Sequence, residues 1–226
     1  MSERVLIVGS RASTLALRQT NMILAALRRR FPAVRMELRH IRTTGDRDQA
    51  TSLQTLGGQG VFVKEIEEAL AQGEIDLAVH SLKDLPGTLR EGLALGAIPK
   101  RADARDALIS RSGLALADLP SGATIGTGAA RRIAQLQAAR PDCVIHDLRG
   151  NVDTRLRKAM AADGPYDAIV LALAGLKRLR RAKEATEILP FDTMLPAPGQ
   201  GALGLEIRAD DTWTRDLLAP LNDPAT

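Results

Sequence analysis

Residues 5–31 read VLIVGSRASTLALRQTNMILAALRRRF, and their order decides the fold class. Val5–Val8 is a short aliphatic run closed by Gly9, which predicts a buried strand. Ser13 stands where a helix cap belongs. Leu15, Ile23, Leu27 and Phe31 then recur at helical spacing until Pro32 ends the helix. A strand that turns through Gly-Ser-Arg into a helix is the opening unit of an α/β sheet. Val34–Ile41 alternates and returns as a second strand.

The alternation continues outward. Thr43–Gly60, rich in Gly, Asp, Gln and Thr, is too long for a turn and is expected to be a mobile or functional loop. Val61–Ala71 predicts a helix; Ile75–Val79 and Leu93–Ile98 predict strands. The pattern breaks at Pro99–Asp103 and restarts. Strands are expected at Ala107–Ser110, Ala123–Thr127, Val144–Leu148 and Ala168–Leu173, with helices at Ala130–Ala139, Val152–Ala162 and Leu176–Ala182. A second break at Pro196–Gly201 precedes a strand at Ala202–Ile207 and a helix at Thr212–Leu221. The expected architecture is therefore α/β, with two open mixed-sheet domains joined by two hinge crossings. Domain 1 would take residues 1–98 plus 200–221 and domain 2 residues 99–199, with the active-site cleft between them.

Composition narrows the function. The 226 residues carry 31 Lys+Arg against 27 Asp+Glu, for a net charge of +4, and 45% are hydrophobic, as in an ordinary globular protein. The five aromatic residues are too few for the base-stacking platforms of single-strand binders. The cations are interspersed with carboxylates, so no nucleic-acid partner is expected. Nor is a membrane: the first residues lack an apolar signal core, and the Ala168–Leu173 run is too short to span a bilayer. Cys143, the one cysteine, excludes an intramolecular disulfide and a multi-cysteine metal site, and is expected as a buried, inert thiol. His40, His80 and His146 lack ligand spacing, so no metal is expected. A reducing cytoplasm is the default compartment.

Of the 31 cations, 25 are Arg. Genomic base composition could produce that bias; so could a need for planar forks that grip carboxylates or phosphates. Position favours the second reading. Gly9-Ser10-Arg11-Ala12-Ser13 opens the first helix, where free N–H groups and an Arg make an anion site, although a capped structural helix with a surface Arg would read the same. Gly126-Thr127-Gly128-Ala129-Ala130-Arg131-Arg132 repeats the arrangement, with two arginines opposing the helix dipole. Leu148-Arg149-Gly150-Asn151 leads into a third helix bearing Arg155. Together they predict a ligand with several carboxylates or phosphates. Lys83 and Asp84 adjoin just past a strand, where an ionised carboxylate could stabilise a developing cation or position a proton; a surface ion pair in a turn is the plainer alternative.

These segments together resemble the hydroxymethylbilane synthase (porphobilinogen deaminase) family. The matching stretches are GSRAS (9–13), TTGDRD (43–48), GGQGVFVKEIE (57–67), DLAVHSLKDLP (76–86), RADARDALIS (101–110), IGTGAARR (125–132), LRGNVDTRL (148–156), YDAIVLALAGLKRL (166–179) and LPAPGQGALGLE (195–206). The resemblance implies two domains of the type II periplasmic-binding-protein kind and a monomeric transferase of tetrapyrrole biosynthesis. The implied reaction condenses four porphobilinogen molecules head to tail, with loss of ammonia, on a dipyrromethane cofactor. It implies that Asp84 is catalytic, assisting protonation of the departing amine and stabilising the azafulvene cation. Arg11, Ser13, Lys83, Thr127, Arg131, Arg132, Arg149 and Arg155 would hold acetate and propionate groups. Gln200 would line the cleft and Phe62 would cover it from the loop.

Three departures from the family pattern stand out. The 226 residues are expected to lack the family's third domain and the cysteine that carries the cofactor, and Cys143 is not expected to take that place. Gly128 and Ala129 replace small hydroxyl residues, and Thr55 and Gln59 replace loop lysines. These departures leave open a second class of function, a non-catalytic two-domain binder of a polycarboxylate or pyrrole.

Overall fold

The computed structural model describes residues 4–43 and 63–226. Phe62, Thr55, Gln59 and most of the expected loop lie outside the described residues. Contacts divide the chain into two compact units, Met1–Ala102 with Ala202–Thr226, and Asp103–Gly201. The crossings fall a few residues later than 98/99 and 199/200. Residues 98–101 stay with the first unit because Asp223 N donates to Ile98 O and Arg101 N to Thr226 Oγ1.

In the first unit β1 (Leu6–Arg11) lies parallel to β2 (Met36–Ile41) and β3 (Leu77–Ser81), while β10 (Leu203–Arg208) runs antiparallel between β3 and β4 (Leu93–Ala97). Side-chain alternation then covers both faces. Leu6, Val8, Leu77, Val79, Leu205 and Ile207 pack against Ile23, Leu24 and Leu27 of α1 (Thr14–Arg30) and against α6 (Thr212–Leu218). The opposite face packs Ile75 and Ala78 against Ile66 and Leu70 of α2 (Lys64–Ala71). Ser13 caps α1 by accepting from Ala16 N at 3.3 Å, as its position predicts.

The second unit repeats the plan. β6 (Thr124–Gly126) lies parallel to β7 (Val144–His146) and β8 (Ala168–Ala172), and β5 (Asp106–Ser110) is antiparallel to β8 and to the two-residue β9 (Glu187–Ile188). α3 (Ala130–Ala139) covers one face through Leu136; α4 (Val152–Ala159) and α5 (Leu173–Arg178) cover the other through Leu156 and Leu176. Both sheets are mixed, as expected for the α/β class.

Several boundaries differ from the sequence reading. β1 runs through Gly9 to Arg11, because the missing Cβ leaves room for the Ile75 side chain; a Cβ there would lie 2.3 Å from Ile75 Cδ1. β3 continues past Val79 to Ser81, so His80 belongs to the strand. α5 starts at Leu173, directly from β8, and ends before Ala182.

Candidate functional site

Parallel strands bring their carboxyl ends to one edge of a sheet, and the singled-out residues gather at that edge in each unit. In the first unit β1 delivers Arg11 as its last residue, and Ser13 follows at the helix start. β3 delivers a single 3-10 turn, Leu82–Asp84, that carries Lys83 and Asp84. The turn is anchored from below: Leu82 N donates to Ala202 O at 3.1 Å, and Gln19 Nε2 of α1 donates to Ser81 Oγ at 2.9 Å. Asp84 is half-buried, and no hydrogen bond or ion pair to its carboxylate is found among the described residues. Lys83 and Arg11 are both engaged.

In the second unit Thr127 follows β6, buried, with its N–H donating to His146 O and its Oγ1 accepting from Ala129 N at 3.4 Å. Ala129 offers α3 no side-chain cap, and the first turn holds no acid. Arg131 and Arg132 stand there instead, and their charge is met by Asp106. β5 is antiparallel to β8, with Asp106 opposite Ala172, so the first residue of β5 arrives at the edge where β6 and β8 end. Its side chain shares the face of Leu108, toward α3.

Asp106 is fully buried and accepts from Arg131 Nη2 at 2.7 Å, Arg132 Nη2 at 2.8 Å and Gln200 Nε2 at 2.8 Å. Burial alone would push its carboxyl up, but the Arg132 and Arg131 guanidiniums hold it below the usual carboxylate range. Arg132 also donates to Val170 O, Arg131 to Leu195 O, and Gln200 to Ala104 O. Sequence reasoning missed Asp106. The available signal was a pair of arginines on a helix start without an acid of its own.

After β7, Asn151 caps α4 by accepting from Thr154 N, and Arg155 Nε donates to Gly150 O at 2.7 Å. Arg149 Nη1 is shielded from solvent without an acceptor, as is Arg132 Nε. So is Nε of Arg178, a residue the sequence reading did not single out: its Nη2 donates to Gly201 O, and burial lowers its pKa.

Gly128 sits under Asp147: a Cβ would lie 2.7 Å from Asp147 Oδ1 and 3.2 Å from Leu148 O, so a larger residue would have to displace them. Cys143 is half-buried beside the α3-side core, and burial pushes its thiol up, which disfavours the reactive thiolate. Among the described residues no group of three His, Cys, Asp or Glu could hold a metal ion.

The family described as "Porphobilinogen deaminase, dipyromethane cofactor binding domain" matches residues 6–216. A porphobilinogen deaminase of Syntrophobacter fumaroxidans is 50% identical over 226 residues, covering 100% of this chain and 72% of the relative. One from Roseiflexus castenholzii is 53% identical over 220 residues, covering 97% and 72%. One from Paenibacillus macerans is 50% identical over 230 residues, covering 100% and 70%. Among solved structures, the methionine-binding protein MetQ aligns with a TM-score of 0.57 at 13% identity, covering 96% of this chain and 89% of that one. The BvgS VFT2 domain of Bordetella pertussis aligns at 0.53 and 16%, covering 95% and 84%. At such identities the likeness is one of fold alone, and the fold is that of type II periplasmic-binding-protein-like domains.

Proposed function

The chain belongs to the porphobilinogen deaminase family, and from that premise we propose how its residues serve the family's reaction, the stepwise condensation of four porphobilinogen molecules with loss of ammonia to give hydroxymethylbilane. Family membership does not favour the non-catalytic binder.

Asp84 is the catalytic carboxylate. The observation that carries this assignment is its half-buried place in the turn after β3, anchored by Leu82 and Ser81, with no described partner neutralising it. An ionised carboxylate there holds the proton of the substrate's ammonium until the amine departs as ammonia. It then faces the cation left on the substrate's methylene carbon, stabilising it by charge. Arg11, Ser13 and Lys83 in the first unit, and Thr127, Arg131, Arg132, Arg149, Arg155 and Gln200 in the second, bind acetate and propionate side chains.

Dipyrromethane, the cofactor of the family, bears the same acidic side chains. The partly exposed Arg131 guanidinium, which shares the single Asp106 carboxylate with Arg132, fits such a group. When bound, it supplies the pyrrole terminus from which the product grows. We place the protein in the cytoplasm as a monomer, without nucleic-acid or membrane partners; the lone Cys143 supports the compartment, and the scarcity of aromatic residues and the scattered cations support the lack of a nucleic-acid partner. Among the described residues no helix is long and apolar enough to cross a membrane.

The test is Asp84→Ala in the intact enzyme, followed by porphobilinogen consumption and a thermal melt. Loss of turnover by at least about 10²-fold with an unchanged melt is expected. Wild-type turnover in the folded variant would overturn the assignment.

A further inference from the structure

Two arginines on one helix turn repel one another, and a buried guanidinium carries a desolvation cost. Asp106 meets both problems with one charge: it bridges Arg131 and Arg132 from 0% exposure while Gln200 fills a further acceptor site. One carboxylate against two guanidiniums leaves a net charge of about +1 on the cluster. The Arg131 side chain stays 23% exposed, so its fork is open to an incoming group while Asp106 holds it from below. A pair built only for stability has no reason to retain that positive remainder. A pair built to receive a carboxylate needs it.

We propose that Asp106 is a positioning residue, which fixes the Arg131 and Arg132 forks for a substrate or cofactor carboxylate without neutralising them. It touches no reacting atom. Its effect passes through the two arginines and Gln200, which it holds in one geometry before the ligand arrives. The inference rests on the reading of Arg131 and Arg132 as carboxylate-binding residues.

The experiment is Asp106→Asn in the intact enzyme, which keeps the shape of the side chain and removes its charge. Porphobilinogen consumption is followed against substrate concentration, beside a thermal melt and the Asp84→Ala control. Loosened arginines lose binding common to ground and transition states, so KM should rise at least about tenfold while kcat per folded molecule changes less than about threefold. A purely structural Asp106 would instead lower the melting temperature and the active fraction with KM unchanged, and that result overturns the proposal. If Asp106→Asn yields no folded protein, Asp106→Glu replaces it. This variant keeps the charge but displaces the carboxylate by a methylene; a raised KM supports positioning and an unchanged KM overturns it. Turnover retained by Asp84→Ala would count against the site reading itself, whatever Asp106 does.

Discussion

Each unit contains a cluster of arginines around buried aspartate, and the two clusters differ in stoichiometry. In the first unit Arg4 and Arg208 face Asp76 and Asp211, two cations against two anions. Arg4 contacts Asp76 at 3.0 Å and Asp211 at 2.5 Å; Arg208 contacts them at 2.6 and 2.9 Å. Nearby donors complete the acceptors: Ile7 N reaches Asp76, and Thr214 N and Oγ1 reach Asp211. In the second unit one aspartate serves two arginines. The polar atoms left shielded and without a partner follow the same division. Those in the second unit are guanidinium nitrogens; those in the first include both Glu206 oxygens, with His80 Nε2 3.1 Å from one of them but outside hydrogen-bond geometry. The first cluster is balanced in charge as folded, and the second carries an excess of about one positive charge. Residue type alone, in a chain with 25 arginines, does not separate the two; counting charges does.

The comparison breaks most sharply at Arg131. Arg131→Leu removes one of the surplus forks but leaves Asp106 paired with Arg132 and Gln200, so the fold retains its partners. A charge-assisted hydrogen bond contributes about 1.5–3 kcal/mol, so kcat/KM should fall by about 10- to 150-fold with the melt nearly unchanged. A kcat/KM within about twofold of wild type would show that the remainder binds nothing.

The balanced cluster should respond in the opposite way. Asp211→Asn lowers stability by about 2–3 kcal/mol, because Arg4 and Arg208 lose half their counter-charge, and it leaves KM untouched. Burial would raise the Asp211 carboxyl, but hydrogen bonds from Arg4 and Thr214 outweigh it and hold the pKa at about 2. A carboxyl depressed in the folded state stabilises at pH values above its unfolded pKa of about 4. That contribution is lost as pH falls from about 4 toward 2. Urea midpoints measured between pH 7 and 2 should therefore drop less steeply for Asp211→Asn than for wild type. Parallel curves would remove Asp211 from the acid response.

Much of this was legible in the sequence, and the failures have identifiable causes. Period-2 and period-3.6 patterns placed α3 at both ends and nearly every strand, because aliphatic faces must be buried wherever they occur. Leu173 was read as the end of a strand because β8 passes into α5 without a loop, and an apolar run looks the same in either state. β9 has two residues, too few for any period. The places of Asp84 and the arginines just after strands are legible from the aliphatic runs that precede them. Asp106 escaped because its importance comes from antiparallel pairing with Ala172, a contact across 66 positions that no local pattern encodes. Arg178 escaped because its partner is a carbonyl at the end of the second break, Gly201 O, 23 positions away.

The smallest effect belongs to Arg4, at the rim of the balanced cluster. Its side chain is 41% exposed and lies 4.3 Å over the Trp213 ring while gripping Asp76 and Asp211. Water competes for that guanidinium, so its ion pairs count as surface pairs of about 0–1 kcal/mol, with about 0.5–1 kcal/mol more from the ring. Arg208 stays in place beneath it, itself held by the carbonyls of Leu70 and Ile75, so both aspartates keep one cation when Arg4 is lost. Arg4→Ala should therefore lower the urea midpoint by the equivalent of about 1 kcal/mol, clearly less than Asp211→Asn, and half a molar of salt should reduce the difference. An Arg4→Ala cost equal to that of Asp211→Asn, and insensitive to salt, would mean that both cations of the cluster are indispensable to the first unit.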